Sequence, residues 1–502
     1  MSLSPMSHIM MIRPTHLAGF LLAFATAGLV ASVFGSPEAP TGEGIRGDAV
    51  AAGAGPRDDA PPRPADCVEV SPNDDLGRTI DGLDAGASIC LAEGDYSGPI
   101  RIDSPVSIWG PPGATIRSSG EDSTIFVHAD DVRLAGFTIA GSGQRYVDQD
   151  AGIFVSESTD VVIDHLAITD VLFGVTSQKV DQLTVRDTTI RCRSKRALGM
   201  RGDGIRLWET RRSRIAHNEL DECRDLVVWY SPENVIEGNR VSSGRYGTHF
   251  MYSSRNIITN NAYVGNVVGI FVMYSRNMLI DSNILADAAG SAGVGLGLKE
   301  SGNLEITRNR FLHNTVGSYI DTSPLHRDDR NLYALNEFRL GNAGVVFHSS
   351  PRANEFLSNT FQDNVETVRV EGGGDATGIP WERNFFGGYA GYDMDRDGTG
   401  DVPFELRTVS GMLRSRYPNL DVFHGSAAMF AIEAASRISP MYSPDLVLTD
   451  EKPRMYAPSR AELDEKLRSI RRRHDVLAID RSGDFPVVRG RDEEPRDESQ
   501  RY

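Results

Sequence analysis

The chain has 502 residues, enough for a large core or several domains. Its net charge of -17 and pI near 5.2 exclude nucleic acid as a natural partner. They also disfavour a groove for acidic polysaccharide.

Residues 1–35 read as an export segment. Arg13 precedes a mostly apolar run from Leu17 to Phe34, and Gly35 and Ser36 follow it. The run is about 18 residues long, on the border between a signal peptide and an N-terminal anchor. Either outcome carries the rest of the chain out of the cytoplasm. Residues 36–66, "SPEAPTGEGIRGDAVAAGAGPRDDAPPRPAD", lack hydrophobic periodicity and read as a flexible linker.

Residues 67–123 include "SICLAEGDYSGPIRIDSPVSIWGPPGATI", with alternating apolar positions. They are expected to form an N-terminal cap and the first coils of a solenoid. Cys67 and Cys90 flank this segment, and export places them where disulfides persist.

Residues 124–386 repeat. Aligned on one asparagine, the units fall at Asn218, Asn239, Asn261, Asn283, Asn309, Asn336, Asn359 and Asn384. The steps are 21, 22, 22, 26, 27, 23 and 25. His165 and Asp187, 22 apart, are assigned to the same slot upstream. Short alternating runs with polar corners at this step size predict the coils of a parallel β-helix, because helical repeats need longer stripes at 3.6 spacing. Cys192 and Cys223 each lie five residues after their slot, so they are expected on successive coils about 4.8 Å apart. That spacing permits either a disulfide or two stacked thiols.

Strand alternation assigns the faces. On the coils closed by Ser231, Ser253, Ser275, Ser301 and Ser323, the residues three and five before the serine are mostly aliphatic and face inward. The outward column two before the serine reads Trp229, Met251, Met273, Lys299 and Asp321, with Trp208 upstream and His348 downstream. The column four before reads Val227, His249, Phe271, Gly297 and Tyr319. Met251 and Met273 are thus expected to stack outside the core, with His249 and the tryptophans beside them. Three readings fit this stripe: a surface covered by a loop or by the C-terminal segment, a protein-docking patch, or a soft-metal site of thioether and imidazole suited to Cu(I).

Residues 387–405 contain "GYDMDRDGTGDVPF". Asp393, Asp395, Asp397 and Asp401, with the Thr399 carbonyl, match a calcium-type loop, although Phe404 stands where an EF-hand has glutamate. The alternative is an Asp-rich turn without metal. Residues 406–455 form a capping or partner-docking segment with a helix over "SAAMFAIEAASRI", capped by Ser426. Residues 456–502 are strongly charged and read as a disordered tail with one helix over "SRAELDEKLRSIRRRH". No triad motif, HExxH, P-loop or CxxC occurs. Asp203, Asp221 and Glu222 are carboxylates for a sugar-active groove or, on the plainer reading, solvated corners; His165 and His217 read as structural.

"GRYGTHFMYSSRN", "VGIFVMYSRN" and "RNFFGGYAGYDMDRDGTGDVPF", in this order, resemble the NosD family. The resemblance spans roughly residues 67–455. It implies an all-β, right-handed parallel β-helix with a short α-helical C-terminal extension, in a periplasmic protein without catalytic activity. It implies work with an ABC-type permease and ATPase and with a copper chaperone, in assembling the copper-sulfur centre of nitrous oxide reductase. It assigns no copper ligands to this chain; His249, Met251, Met273, Trp229 and Trp208 come from the outward columns alone. A polysaccharide lyase or epimerase, or a carbohydrate-binding solenoid, are the competing functions.

Overall fold

The computed structural model describes residues 55–57 and 60–490, apart from 194, 372–373, 410–412, 414–416, 424–425, 439–443, 475–476 and 481–484. The export segment and most of the linker lie outside the described residues.

The chain folds as an all-β parallel solenoid. Each coil gives one short strand to each of three parallel sheets, which hold 14, 12 and 13 strands. The first sheet runs from Val68–Val70 to Trp381–Glu382, the second from Ile100–Ile102 to Glu366–Val370, and the third from Gly94–Ser97 to Phe385–Phe386. Inward residues of successive coils stack directly on one another. Ile153, Val175, Ile205 and Leu226 are fully buried in this way. Toward the C-terminal end the interior becomes aromatic. Phe311, Phe338, Phe361 and Phe386 stack at 4.5, 5.0 and 5.5 Å, and Phe404 closes the column at 3.8 Å.

The asparagine alignment has a bonding reason. Each ladder amide donates to the next Oδ1, as Asn261 does to Asn283 at 3.0 Å, and also to a carbonyl of the preceding coil, as to Ile236 at 2.9 Å. The backbone N–H of each also donates to the next Oδ1. Buried backbone at the corner is thereby satisfied on every turn. The ladder ends at Asp450, whose carboxylate accepts from the Asn384 amide at 3.0 Å. Upstream, the ladder slot belongs to Thr188, whose N–H donates to Asn218, and to Leu166 before it. This corrects the assignment of His165 and Asp187 by one residue. Both occupy the corner position just before the ladder, with φ of 53° and 50°.

The N-terminal end is capped by a helix, Leu76–Asp81, whose Asp75 side chain accepts from the Arg78 amide. Cys67 joins Cys90 and Cys192 joins Cys223, with Cα–Cα separations of 5.6 and 4.9 Å. At the other end, Phe404–Thr408 pairs antiparallel with Asp445–Asp450 and sends Leu448 into the core. The Ala427–Ile438 helix carries the Ser426 cap, which accepts the Met429 amide at 3.3 Å.

The charged segment beyond 456 departs from a disordered tail over most of its described length. Leu463–His474 is helical, and Leu477–Asp480 pairs with Val487–Gly490 as a hairpin. Leu467, Ile470, Leu477 and Val488 cover outward apolar residues of the first sheet, including Val235, Ile257, Leu279 and Leu332. The buried Glu305 carboxylate accepts from Arg471 at 2.9 Å and from the Leu477 amide at 3.2 Å. The segment is polar in composition because its outer face is wet, yet it contributes enough apolar area to dock.

Candidate functional site

The second sheet carries the outward columns. Trp208, Trp229, Met251, Met273, Lys299 and Asp321 are successive register partners. Beside them run Arg206, Val227, His249, Phe271, Gly297 and Tyr319. The strands Tyr246–Met251 and Val268–Met273 place both methionines half-exposed, while Phe250 and Val272 point inward.

His249 is outward yet only 6 % exposed. Side chains bury it. Trp229 meets it edge-on at 5.4 Å, Tyr246 lies at 4.8 Å and Phe271 at 6.2 Å between ring centres. Gly297 leaves the space that the Phe271 ring fills, since a Cβ there would run into it. The fourth wall is Met273, whose Sδ is 3.4 Å from His249 Nε2. Among the described residues, nothing hydrogen-bonds the buried His249 Nδ1 or Trp229 Nε1.

Burial lowers the imidazole pKa to about 4, and the nearby Arg245, Arg224 and Arg206 push the same way against the opposing pull of Asp225. The ring is therefore neutral at pH 7, the form that binds metal. A neutral imidazole nitrogen and a thioether sulfur converge in a water-poor box, with a second thioether one coil away. These donors fit Cu(I), which prefers soft, few and dehydrated ligands.

An ion network backs the box. Arg206 donates to Asp203 at 3.1 Å, and Arg224 donates to it at 2.7 Å. Arg245 donates to Asp225 at 3.1 Å. Arg206 also lies over Trp229, 4.9 Å from the ring centre. Asp203 is fully buried, and burial with the neighbouring Asp225 pushes its pKa up to about 8. It is not the solvated corner that the plainer sequence reading makes it. Asp221 accepts from Ser242 at 2.8 Å, and Glu222 is a left-handed corner. His165 pairs with Asp164 at 2.6 Å, and the neighbouring carboxylates already meet Arg133, Arg186 and Arg57.

The sequence reading missed the tyrosines. Tyr230, Tyr252 and Tyr274 each adopt φ of 51° just before the corner serine and stack at 5.3 and 4.8 Å. Trp208 continues the row, 5.2 Å from Tyr230. The signal was the Tyr-Ser pair recurring at 22-residue steps. Tyr246 and the Asp–Arg network were missed as well.

In the acidic loop, the carboxylates of Asp393, Asp395 and Asp397 come within 4.8 Å of one another. Asp393 accepts from the Gly398 amide at 2.9 Å, and Asp397 accepts from the Thr399 amide at 2.6 Å. Hydrogen bonds from Thr399, first its amide and then its hydroxyl, hold Asp397 below the usual carboxylate range. Asp401 lies outside this trio and braces the loop through the Met394 amide at 2.6 Å. The Thr399 hydroxyl accepts from Arg383 at 3.2 Å.

Residues 185–389 match the family model described as "Periplasmic copper-binding protein (NosD)". The "Probable ABC transporter binding protein NosD" of Stutzerimonas stutzeri is 27% identical over 400 residues, covering 75% of this chain and 88% of that protein. Among solved structures, the catalytic unit of the GH87 α-1,3-glucanase from Streptomyces thermodiastaticus strain HF3-3 has TM-score 0.47 and 17% identity, covering 67% of this chain and 70% of that one. The A-module of the Azotobacter vinelandii mannuronan C-5 epimerase AlgE6 has TM-score 0.40 and 13% identity, covering 61% and 92%. Neither likeness carries an argument about function. Both sequence matches, the family model over residues 185–389 and the Stutzerimonas stutzeri relative, carry the NosD name, and this chain is similar to both.

Proposed function

We propose that this chain is an exported, non-catalytic accessory protein that handles copper at its second sheet and works beside an ABC-type transporter. The observation that carries the reading is the approach of His249 Nε2 to Met273 Sδ inside an aromatic box, with Met251 in register beside it. The periplasmic copper-binding description of the matched family and the transporter named in its relative support the setting. In the finer form of the proposal, copper is cargo. A chaperone supplies it, the stripe holds it transiently, and the destination is the copper-sulfur centre of nitrous oxide reductase. An ABC-type permease and ATPase supply the energy. Trp208, Trp229 and the tyrosine row form the apolar rim against which a copper donor or acceptor docks. The acidic loop is assigned to structural calcium through Asp393, Asp395 and Asp397, with Thr399 and Asp401 shaping the loop.

The test is anaerobic Cu(I) competition against a chromophoric chelator. His249→Ala and Met273→Leu should each weaken binding at least tenfold, and Met251→Leu less. Met→Leu keeps the packing while removing the sulfur. Wild-type affinity in the His249→Ala/Met273→Leu double variant would remove the site. Normal affinity loss with normal reductase copper loading would confine the site to the isolated protein.

A further inference from the structure

Arg206, Val227 and His249 are register partners on three successive coils. Arg206 thus starts two coil steps, about 10 Å, from His249. Its guanidinium lies over two rings of the outward stripe, 5.5 Å from the centre of Trp208 and 4.9 Å from that of Trp229. Trp229 in turn meets His249 edge-on. A second guanidinium, that of Arg245, lies 4.5 Å over Tyr246, the ring 4.8 Å from His249. Arg224 joins the two halves of the network, 2.7 Å from Asp203 and 3.4 Å from Asp225. Two aromatic walls of the box are therefore each in contact with a cation.

Three guanidiniums face two carboxylates, which leaves one positive charge, and protonation of Asp203 only adds to it. Lys299, the register partner of Met273, does not alter the balance, since it is bonded to Asp321 at 2.9 Å. The carboxylates are committed as well. Asp203 accepts from Arg206 and Arg224, and Asp225 accepts from Arg245 and from the Tyr246 amide at 3.0 Å. The hard oxygen donors that suit a dipositive ion are thus taken, while imidazole and thioether remain. Buried charge is weakly screened by salt. At about 10 Å, one unit of background charge changes affinity about tenfold for each unit of metal charge. A dipositive ion meets that opposition twice, and a cuprous ion once.

We infer that Arg206, Arg224 and Arg245 determine which metal charge the box accepts, favouring a monovalent copper ion over dipositive metals. This rests on the copper reading of the box. The arginines touch no metal; they act through the tryptophan and tyrosine walls.

The test uses the full-length exported protein, with Cu(I) and Zn(II) each titrated against a chromophoric chelator, and with the reduction potential of bound copper. Arg206→Gln should shift the Zn(II)-to-Cu(I) affinity ratio about tenfold toward Zn(II). It should lower the copper potential by about 60 mV, which is tenfold for a one-electron couple. Arg245→Gln, which takes the cation from the other wall, should do the same. Asp225→Asn removes a negative charge at nearly constant shape and should move both readings the opposite way. A merely structural network would loosen the box in every variant and move the ratio in one direction. Ratios that move in one direction in all variants, or do not move, would overturn the inference and leave the copper site standing. A wild type that binds Cu(I) no better than the His249→Ala/Met273→Leu variant would remove the site, and the inference with it.

Discussion

His249 Nε2 and Met273 Sδ lie 3.4 Å apart although their residues are 24 positions apart in the chain. Coil stacking creates that approach, and the aromatic walls keep it dry. The depressed imidazole pKa follows from the same burial, and it makes the site's behaviour with pH specific.

Between pH 6.5 and 4, His249 is protonated in the unfolded chain but neutral in the folded one. The unfolded state then binds more protons, so stability falls as pH drops through this window. The full effect is about 3 kcal/mol. Denaturant unfolding of wild type should show this slope, and His249→Phe should lack it. Cu(I) affinity should stay nearly flat from pH 7.5 to 5, whereas a solvent-exposed histidine site would lose affinity below pH 6.5.

Asn283→Ala should destabilise the fold by about 3–5 kcal/mol, because it strips buried partners from Asn261, Asn309 and Ile258 together. Asn260→Gly, at the exposed left-handed corner one residue before the ladder, should be nearly neutral. Urea midpoints of the two variants compare the two positions directly.

Calcium should raise the thermal midpoint of the protein, and chelation should lower it. Asp393→Ala and Asp397→Ala should abolish the response, since both carboxylates belong to the clustered trio. Asp401→Ala should weaken the response without abolishing it, because Asp401 braces the loop from outside that cluster. Calorimetry with and without calcium separates these outcomes.

Truncation after Met455 should expose the apolar strip of Val235, Ile257, Leu279 and Leu332. The expected signs are binding of a hydrophobic dye and a lower midpoint. Arg471→Ala in the intact chain should cost about 2 kcal/mol, since it removes the cationic partner of the buried Glu305 carboxylate.

The ladder asparagines were legible because a buried corner demands the same side-chain chemistry on every coil. The first slots were not, because there a hydroxyl, Thr188 Oγ1, accepts the preceding corner amide in place of an asparagine Oδ1. The methionine column could be read from strand alternation, which places residues by face. The tyrosines escaped because a left-handed corner residue belongs to neither face. Asp203 meets Arg224, and Asp225 meets Arg245, only across stacked coils. The docked C-terminal helix was legible as a helix, but its seat was not. That seat is built from Val235, Ile257 and Leu279, whose outward, apolar character shows only when coils are superposed.

Asp450 at the foot of the asparagine ladder has a consequence for assembly. An amide both gives and takes a hydrogen bond, so a row of amides can be prolonged without limit, by this chain or by a neighbour. An ionised carboxylate only takes. Asp450 satisfies the last donor and offers none onward, while its own strand covers the exposed end. Open strand ends invite further chains to add. In this protein the asparagine ladder is chemically closed at its last coil.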